Sequence, residues 1–200
     1  MPIDAQFLAR VETARAWDGA PIPEGARQRL AREWSQLQTI AQQLAEGKAA
    51  RAALAPDPQT PTGRAVDQLQ RMRAIGPTGA WVLTTEIFSW RQIRNGRQLG
   101  ALVGLVPAVY QSGETQRDQG ITRAGNAHVR RVIVQLAWQW IRYQPESALT
   151  QWYQRRFGGG GKRQRRIGIV ALARKLLIAL WRYVETGVVP EGAHLKPMEG

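Results

Sequence analysis

Three prolines within residues 56–61 constrain the fold of this sequence more than any other feature. Proline lacks a backbone N–H and its ring clashes with the preceding helical turn, so a helix does not continue through such a segment. The surrounding residues, APDPQTPTG from position 55 to 63, are otherwise mostly polar and turn-prone. We therefore predict a linker at residues 56–63, with separately folded segments before and after it.

Composition places both segments among folded, helical proteins. The chain has 200 residues, of which 44% are hydrophobic, so it is not disordered and has room for one domain plus an appendage. The absence of cysteine excludes a disulfide scaffold and any cysteine-ligated zinc or iron–sulfur site, and His128 and His194 are too few for a histidine-rich metal site. Because apolar residues recur mainly at helical spacing, we expect a mostly α-helical fold without a metal site.

The segment before the linker has helical and then heptad spacing. A leader at residues 1–23 is expected to contain a short helix over residues 3–17. The next predicted helix occupies residues 24–55, and its apolar positions alternate at steps of four and three: Leu30, Trp34, Leu37, Ala41 and Leu44. About two heptads of this kind fit a helix packed on its own domain and a dimerising coiled-coil pair equally well, and both alternatives stay open.

The domain after the linker, residues 64–189, is expected to begin with two helices joined by a glycine-bearing hairpin. The first helix ends near Met72 and the second passes through Trp81. This arrangement resembles a helix-hairpin-helix, in which backbone N–H groups at the start of the second helix, here near Gly76 and Gly79, hold a phosphate. An ordinary helical hairpin is the alternative.

The middle of the domain is outlined by caps and helix breakers. Asn95 is expected to cap a helix that ends at Gly104. A short β-prone segment at residues 105–110 follows, and then an exposed turn at residues 111–113.

Three further helices are expected before a tail at residues 190–200. Thr122 is the predicted cap of a helix over about residues 126–143, and Pro145 is expected to start the next helix. The last helix is predicted to bury a stripe made of Ile167, Val170, Leu177, Trp181 and Val184. Most of the eight tryptophans are expected in the core.

The positive charge is concentrated in one part of the chain. The formal net charge is +13, and residues 112–182 hold twelve Arg and two Lys against three carboxylates, a local charge of +11. Such a segment is typical of a face that binds the phosphates of DNA or structured RNA, although a solvated helix surface is the alternative. The candidate contacts are Arg117, Arg123, Asn126, His128, Arg130, Arg131, Arg155, Arg156, Lys162, Arg163, Arg165, Arg166, Arg174 and Lys175.

Several enzyme classes do not fit the residues present. Gly161-Lys162 is not part of a nucleotide-binding phosphate loop, because Arg156 and Arg163 stand where that motif needs glycine and Ser or Thr. A two-metal nuclease site needs several converging carboxylates. Residues 65–182 contain only five carboxylates, so we do not expect such a site in this chain. They are Asp67, Glu86, Glu114, Asp118 and Glu146.

A membrane location is not expected either. The longest apolar stretch, residues 167–181, is interrupted by Arg174 and Lys175, and the amino terminus lacks a basic-then-apolar signal pattern. We therefore expect a cytoplasmic protein without a membrane partner.

Ser112 is the candidate nucleophile among the four serines. Ser35, Ser89 and Ser147 lie within or beside predicted helices, whereas Ser112 precedes a glycine at the edge of the basic segment. Arginines there could stabilise negative charge that develops on an attacked phosphate. By chemistry alone, a plain turn serine remains the alternative.

A series of short motifs in fixed order resembles one transposase family. The motifs are LGALVGLVP at residues 99–107, YQSG at 110–113, GIT at 120–122, GN at 125–126, RR at 130–131, AW at 137–138 and ALARKL at 171–176. Together they are similar to the carboxy-terminal, serine-bearing domain of the insertion sequence IS110 family. The resemblance extends over about residues 65–189.

The resemblance implies a mechanism and partners. Family members join an amino-terminal RuvC-like domain, which carries an Asp-Glu-Asp-Asp metal set, through a coiled coil to the serine-bearing domain. An element-encoded RNA, the bridge RNA, guides recombination between donor and target DNA. Ser112 matches the serine that attacks a DNA phosphodiester, which forms a phosphoserine link and leaves a 3′ hydroxyl.

For this chain the resemblance gives four expectations. Mg²⁺ is expected only with a RuvC-like domain, which does not precede the heptad helix in these 200 residues. The chain is accordingly expected to be a truncated product that is inactive alone. It is expected to form homo-oligomers or to pair with full-length transposase. The alternative function is a non-catalytic DNA- or RNA-binding module that regulates full-length transposase.

Overall fold

The computed structural model describes residues 6–53, 57–112, 115–122 and 124–197, with the strands between 107 and 120 described by their backbone. The described residues are mostly helical, as predicted. They belong to two compact units, which divide between residues 55 and 56. Among the described residues, no helix is long and apolar enough to cross a membrane.

The amino-terminal unit consists of two helices, α1 (Phe7–Thr13) and α2 (Glu24–Ala53). Helix α1 is shorter than predicted because the chain turns extended at Ala14. The rings of Phe7 and Trp34 pack with their centroids 5.1 Å apart, and Val11 is buried. Helix α2 therefore uses part of its heptad face within its own unit.

Helix α3 (Pro61–Arg71) opens the carboxy-terminal unit. The Thr60 hydroxyl accepts a hydrogen bond from the Gly63 N–H at 3.0 Å, which caps the helix before its first-turn proline. Helix α4 (Pro77–Leu83) follows a turn at residues 72–76 and continues as a π-helical turn at Thr84–Phe88.

Helix α5 (Gly96–Val103) has the predicted ends. The Asn95 side chain accepts from the Gln98 N–H at 2.9 Å, and Gly104 adopts a left-handed conformation with φ 69°. That conformation suits glycine, and it ends the helix.

Two antiparallel strands form a hairpin that includes Gln111 and Ser112 of the predicted turn at residues 111–113, whereas Gly113 lies outside the described residues. Strand β1 (Pro107–Ser112) pairs with strand β2 (Thr115–Ile121), with Pro107 opposite Ile121 and Ser112 opposite Thr115. The sequence did not indicate β2, because TQRDQGI is polar and lacks the apolar alternation of a half-buried strand.

Two predicted helix starts are corrected. Helix α6 (Ala127–Tyr143) is capped by Asn126, whose side chain accepts from the His128 and Val129 N–H groups, and Thr122 is not its cap. Helix α7 (Ala148–Tyr153) starts after Ser147, whose hydroxyl accepts from the Leu149 N–H. Pro145 lies in the turn before α7, which continues as a π-helical turn at Gln154–Gly158.

Helices α6 and α8 (Lys162–Thr186) form the centre of the core. The buried face of α8 carries Ile169, Leu172, Leu176 and Leu180, spaced three or four residues apart. The predicted stripe is partly wrong, because Ile167 is 55% exposed. The tryptophan prediction is also only partly right. Trp140 is fully buried, whereas Trp17, Trp90 and Trp138 are exposed.

The chain after α8 packs back onto this unit. Leu195 forms a β-bridge with Met72, and the Lys196 ammonium donates hydrogen bonds to the carbonyl oxygens of Gln70 and Ile75. The buried Gln144 amide donates to the carbonyls of Arg73 and His194. The last described residues thereby hold the α3–α4 turn against the end of α6.

Candidate nucleic-acid interface

An open groove runs along the outer side of helix α8. It has a volume of about 690 Å³. Its lining residues are Leu105, Ile121, Trp152, Arg163, Arg166, Ile167, Val170, Ala171, Arg174, Lys175 and Ile178. The floor is thus apolar, four cations surround it, and no carboxylate belongs to its described lining.

Helix α8 forms this groove because it carries two apolar stripes. One stripe is the core-facing set described above. The second contains Ile167, Val170, Ala171 and Ile178, again at helical spacing. The core buries the first stripe fully and the second only in part, so the second stripe also lines the groove.

Two glycines of α5 allow α8 to pack closely beside it. A Cβ atom at Gly96 would lie 2.9 Å from Cδ1 of Ile178, and one at Gly100 would lie 3.1 Å from Nε of Arg174. Larger residues would push these side chains away from their present positions. The glycines therefore help to place Ile178 and Arg174 in the groove.

The four cations of the groove differ in burial and contacts. Arg163, Arg166 and Lys175 are exposed, and Arg174 is half-buried. The Lys175 ammonium lies 4.7 Å from the centroid of the Trp152 ring, which is within cation–π range. Within the described residues, none of the four forms an ion pair. Their charge is therefore available to an anionic ligand.

The hairpin that contains Ser112 starts at the edge of this groove. Leu105, just before β1, and Ile121, the last residue of β2, both line it. Ser112 ends β1 with its backbone opposite Thr115, and Arg117 stands opposite Tyr110. At about 3.3 Å per residue, Ser112 lies about 17 Å along the strand from Pro107. The backbone thus places Ser112 at the far end of the hairpin.

The predicted contacts at the start of α6 have mixed surroundings. The Asn126 amide donates to a carboxylate oxygen of Glu86 at 2.8 Å, in addition to capping the helix. The Arg130 guanidinium donates to the Val103 carbonyl at 2.9 Å. His128 and Arg131 are exposed. Asn126 and Arg130 therefore have structural partners, and His128 and Arg131 face solvent.

The two glycines of the α3–α4 hairpin differ in how closely other residues pack against them. Gly76 precedes α4 and has open space beside it. Gly79 is buried, and a Cβ atom there would lie 3.1 Å from the Leu136 side chain. Close packing of α4 on α6 thus accounts for Gly79.

Four further predicted contacts do not belong to the described groove lining. Arg155, Arg156, Lys162 and Arg165 are exposed around the turn between α7 and α8. The Arg165 side chain donates to the Gly160 carbonyl at 2.9 Å. Arg123 lies outside the described residues. The structure therefore gathers Arg163, Arg166, Arg174 and Lys175 from the predicted set into one site.

Sequence reasoning missed the apolar part of the groove. Ile167 and Val170 were predicted in the buried stripe, and Trp152 was not singled out, although all three line the groove. A second series at three- and four-residue steps beside the buried one was the available signal. In the part of the chain that is described, no three His, Asp or Glu side chains come together as a metal site.

Comparisons with known proteins give the class of this unit. Residues 66–152 match the family model described as Transposase IS116/IS110/IS902 family. A protein of Sinorhizobium fredii, described as putative transposase y4rJ, is 37% identical over 98% of this chain and 51% of its own length. The carboxy-terminal unit therefore contains a transposase domain. The chain belongs to the IS116/IS110/IS902 family.

Two further relatives are also described as transposases. A probable family 20 transposase of Pseudomonas aeruginosa is 28% identical over 88% of this chain and 51% of its own length. The transposase for insertion sequence element IS1328 of Yersinia enterocolitica is 30% identical over 61% of this chain and 36% of its own length. The chain spans about half the length of the first two curated relatives.

Proposed function

We propose that this chain acts in the transposition of an insertion sequence by holding nucleic acid in the basic groove and bringing Ser112 to a DNA phosphodiester. One observation carries the proposal: strand β1, which ends at Ser112, starts at a groove with four cations and no carboxylate in its described lining. A strand bound in the groove would pass the base of that hairpin, and DNA that extends about 17 Å beyond the groove along the hairpin would reach Ser112.

The groove suits a phosphate backbone for electrostatic reasons. Arginine guanidinium groups bind phosphate oxygens through two parallel hydrogen bonds, and each bound phosphate releases condensed counterions. Arg163, Arg166, Arg174 and Lys175 supply this charge from a single rigid helix. Binding is therefore expected to weaken as salt rises.

Ser112 is the proposed nucleophile. Its hydroxyl oxygen forms a bond to phosphorus while the bond from phosphorus to the 3′ oxygen breaks. The serine proton leaves to a base, and the departing oxygen takes up a proton to become the 3′ hydroxyl. Serine is a weak nucleophile at its ordinary pKa, so a metal or base must activate it. The family resemblance assigns that metal chemistry, with Mg²⁺, to a RuvC-like domain.

We include the finer features of the family in the proposal. The chain spans about half the length of its relatives, so strand exchange is assigned to an assembly that also contains a RuvC-like domain and an element-encoded guide RNA. Alone, the chain is expected to bind DNA and structured RNA without recombining DNA.

A regulatory function is the second candidate, and α2 favours it. Leu37 and Leu44 on the heptad face of α2 are 48% and 58% exposed. A second helix with the same spacing could cover them, so the chain could pair with another copy or with full-length transposase.

Salt-dependent binding tests the proposed nucleic-acid function. Arg163→Ala together with Arg166→Ala removes two groove cations, and Arg142→Ala together with Arg182→Ala removes two exposed arginines elsewhere. The control pair changes the net charge equally. Fluorescence anisotropy with a labelled DNA duplex at several salt concentrations gives the slope of log affinity against log salt.

The groove pair is expected to lower the slope by about two, because each lost phosphate contact in duplex DNA removes about 0.9. The control pair is expected to change it by less than about half of that. Equal slopes for wild type and the groove pair would refute the proposed interface.

A further inference from the structure

We infer that the groove along α8 holds an unpaired nucleotide, with its base on the apolar floor and its phosphates beside the cations. The inference rests on the proposed nucleic-acid function and specifies its ligand. A base that remains stacked in a duplex does not offer its face to a protein groove. Contact with the apolar floor therefore distinguishes an unpaired nucleotide from a nucleotide in a duplex.

The floor is apolar and open to solvent. Ile167 is 55% exposed, and Val170 and Ile178 beside it are half-buried. The core covers Val170 and Ile178 only in part and leaves Ile167 exposed, so a ligand with an apolar face would be stabilised by removing this surface from water. Phosphates and sugars alone would leave these apolar side chains in contact with water.

The size of the groove agrees with a nucleotide. A volume of about 690 Å³ falls within the range of about 300–1,000 Å³ that is usual for small-molecule sites. Trp152 forms part of the wall, and the Lys175 ammonium lies near its ring. An aromatic wall beside a cation is a common surface for a base and its phosphate.

The cations flank the part of the floor formed by residues 167–171. Arg163 and Arg166 precede Ile167, whereas Arg174 and Lys175 follow Ala171. Arg174 lies eight positions after Arg166 in the helix, which is about 12 Å along the helix axis. A single strand that crosses the floor would thus meet positive charge before and after the seated base.

The charge also decides between occupants. An uncharged apolar helix would fill the floor but leave four cations without partners. An acidic peptide would pair with the cations, and it is treated as an outcome of the test. A single strand satisfies both parts of the groove, because every nucleotide has a phosphate and a base whose faces are apolar.

Ile167→Gln tests the floor without altering charge. The residue is exposed and glutamine is a good helix former, so the fold is expected to persist. Val188→Gln is the matched control, since Val188 is an exposed aliphatic residue that does not line the groove. The probes are a DNA single strand of about 12 nucleotides, the corresponding duplex, the same strand with one abasic site, and polyglutamate as an acidic peptide.

For the single strand, Ile167→Gln is expected to lower affinity about 5- to 10-fold, because one aliphatic contact is lost. Duplex affinity is expected to stay within about twofold, as is single-strand affinity in Val188→Gln. The abasic site is expected to weaken wild type but not Ile167→Gln, because both changes remove the same contact.

Three results would overturn the inference. Equal effects of Ile167→Gln on strand and duplex, or an abasic effect that persists in that variant, would show that the floor does not hold a base. Tighter binding of polyglutamate than of the strand, with the same loss in Ile167→Gln, would assign the groove to an acidic protein. If the Arg163 and Arg166 substitutions still weaken duplex binding in these cases, the proposed function stands. If they do not, both fail.

Discussion

Asn126 connects three parts of the carboxy-terminal unit. Its side-chain oxygen caps α6, its amide donates to Glu86 after α4, and its backbone N–H donates to the Leu102 carbonyl at 2.9 Å. The sequence singled out Asn126 as a nucleic-acid contact beside His128 and Arg131. These hydrogen bonds give it a structural role that its position in the basic segment did not indicate.

We predict that Asn126→Ala lowers the free energy of unfolding by about 2 kcal/mol. About half of this comes from the lost cap and about half from the lost bond to Glu86. Asn95→Ala, which removes a single capping bond of α5, is expected to cost about 1 kcal/mol. Urea unfolding of both variants measures the difference. Equal losses would show that the bond to Glu86 adds nothing.

At the scale of elements, α2 divides its heptad face between two uses. Trp34 packs against Phe7 of α1, and Leu30 is half-buried, whereas Leu37 and Leu44 stay exposed. Packing within its own unit, the first alternative of the sequence analysis, thus applies to the part of α2 around Trp34, whereas coiled-coil pairing stays a prediction. The exposed part is the segment available for pairing.

We predict that the chain self-associates through this exposed part of α2. Leu37→Asp is expected to weaken the association at least about 100-fold, because a symmetric pair loses two buried leucines and gains two buried charges. Gln36→Asp adds the same charge on the outer side of the helix and is expected to leave the association unchanged. Sedimentation equilibrium decides the matter. A wild-type chain that stays monomeric at high concentration contradicts the prediction.

The same scale shows which elements a sequence can reveal. Helix α5 was predicted with both ends, because Asn95 and Gly104 are strong local signals that tertiary contacts do not override. Strand β2 was missed, because its pairing with β1 is specified by the partner strand and not by its own polar residues. For α8, local spacing predicted the helix but did not distinguish its core stripe from its groove stripe.

At the scale of the whole molecule, the candidate site combines residues that are far apart in sequence. Leu105, Trp152 and Arg166 line one groove. Their proximity depends on the packing of α5, α7 and α8, which no local pattern specifies. Charge concentration did predict the basic residues, because like charges on one segment need no tertiary information. The proposed role of Ser112 depends mainly on the family resemblance, because chemistry alone left a plain turn serine as the alternative.

The most direct test of the central claim is a search for a covalent link between Ser112 and DNA. The chain is incubated with DNA that flanks its own coding sequence, transcripts of that DNA and Mg²⁺, with or without a RuvC-like family domain in trans. Denaturing gels detect the adduct, and mass spectrometry of its peptides locates the linked residue. Binding is measured in parallel.

With the RuvC-like domain, wild type is expected to form a phosphoserine adduct at Ser112, and Ser112→Ala is expected to form none. DNA affinity should stay within about twofold, because one hydroxyl adds little to many phosphate contacts. Without the domain, binding should persist and the adduct should be absent. An adduct that persists in Ser112→Ala, or that maps to another residue, would contradict the account.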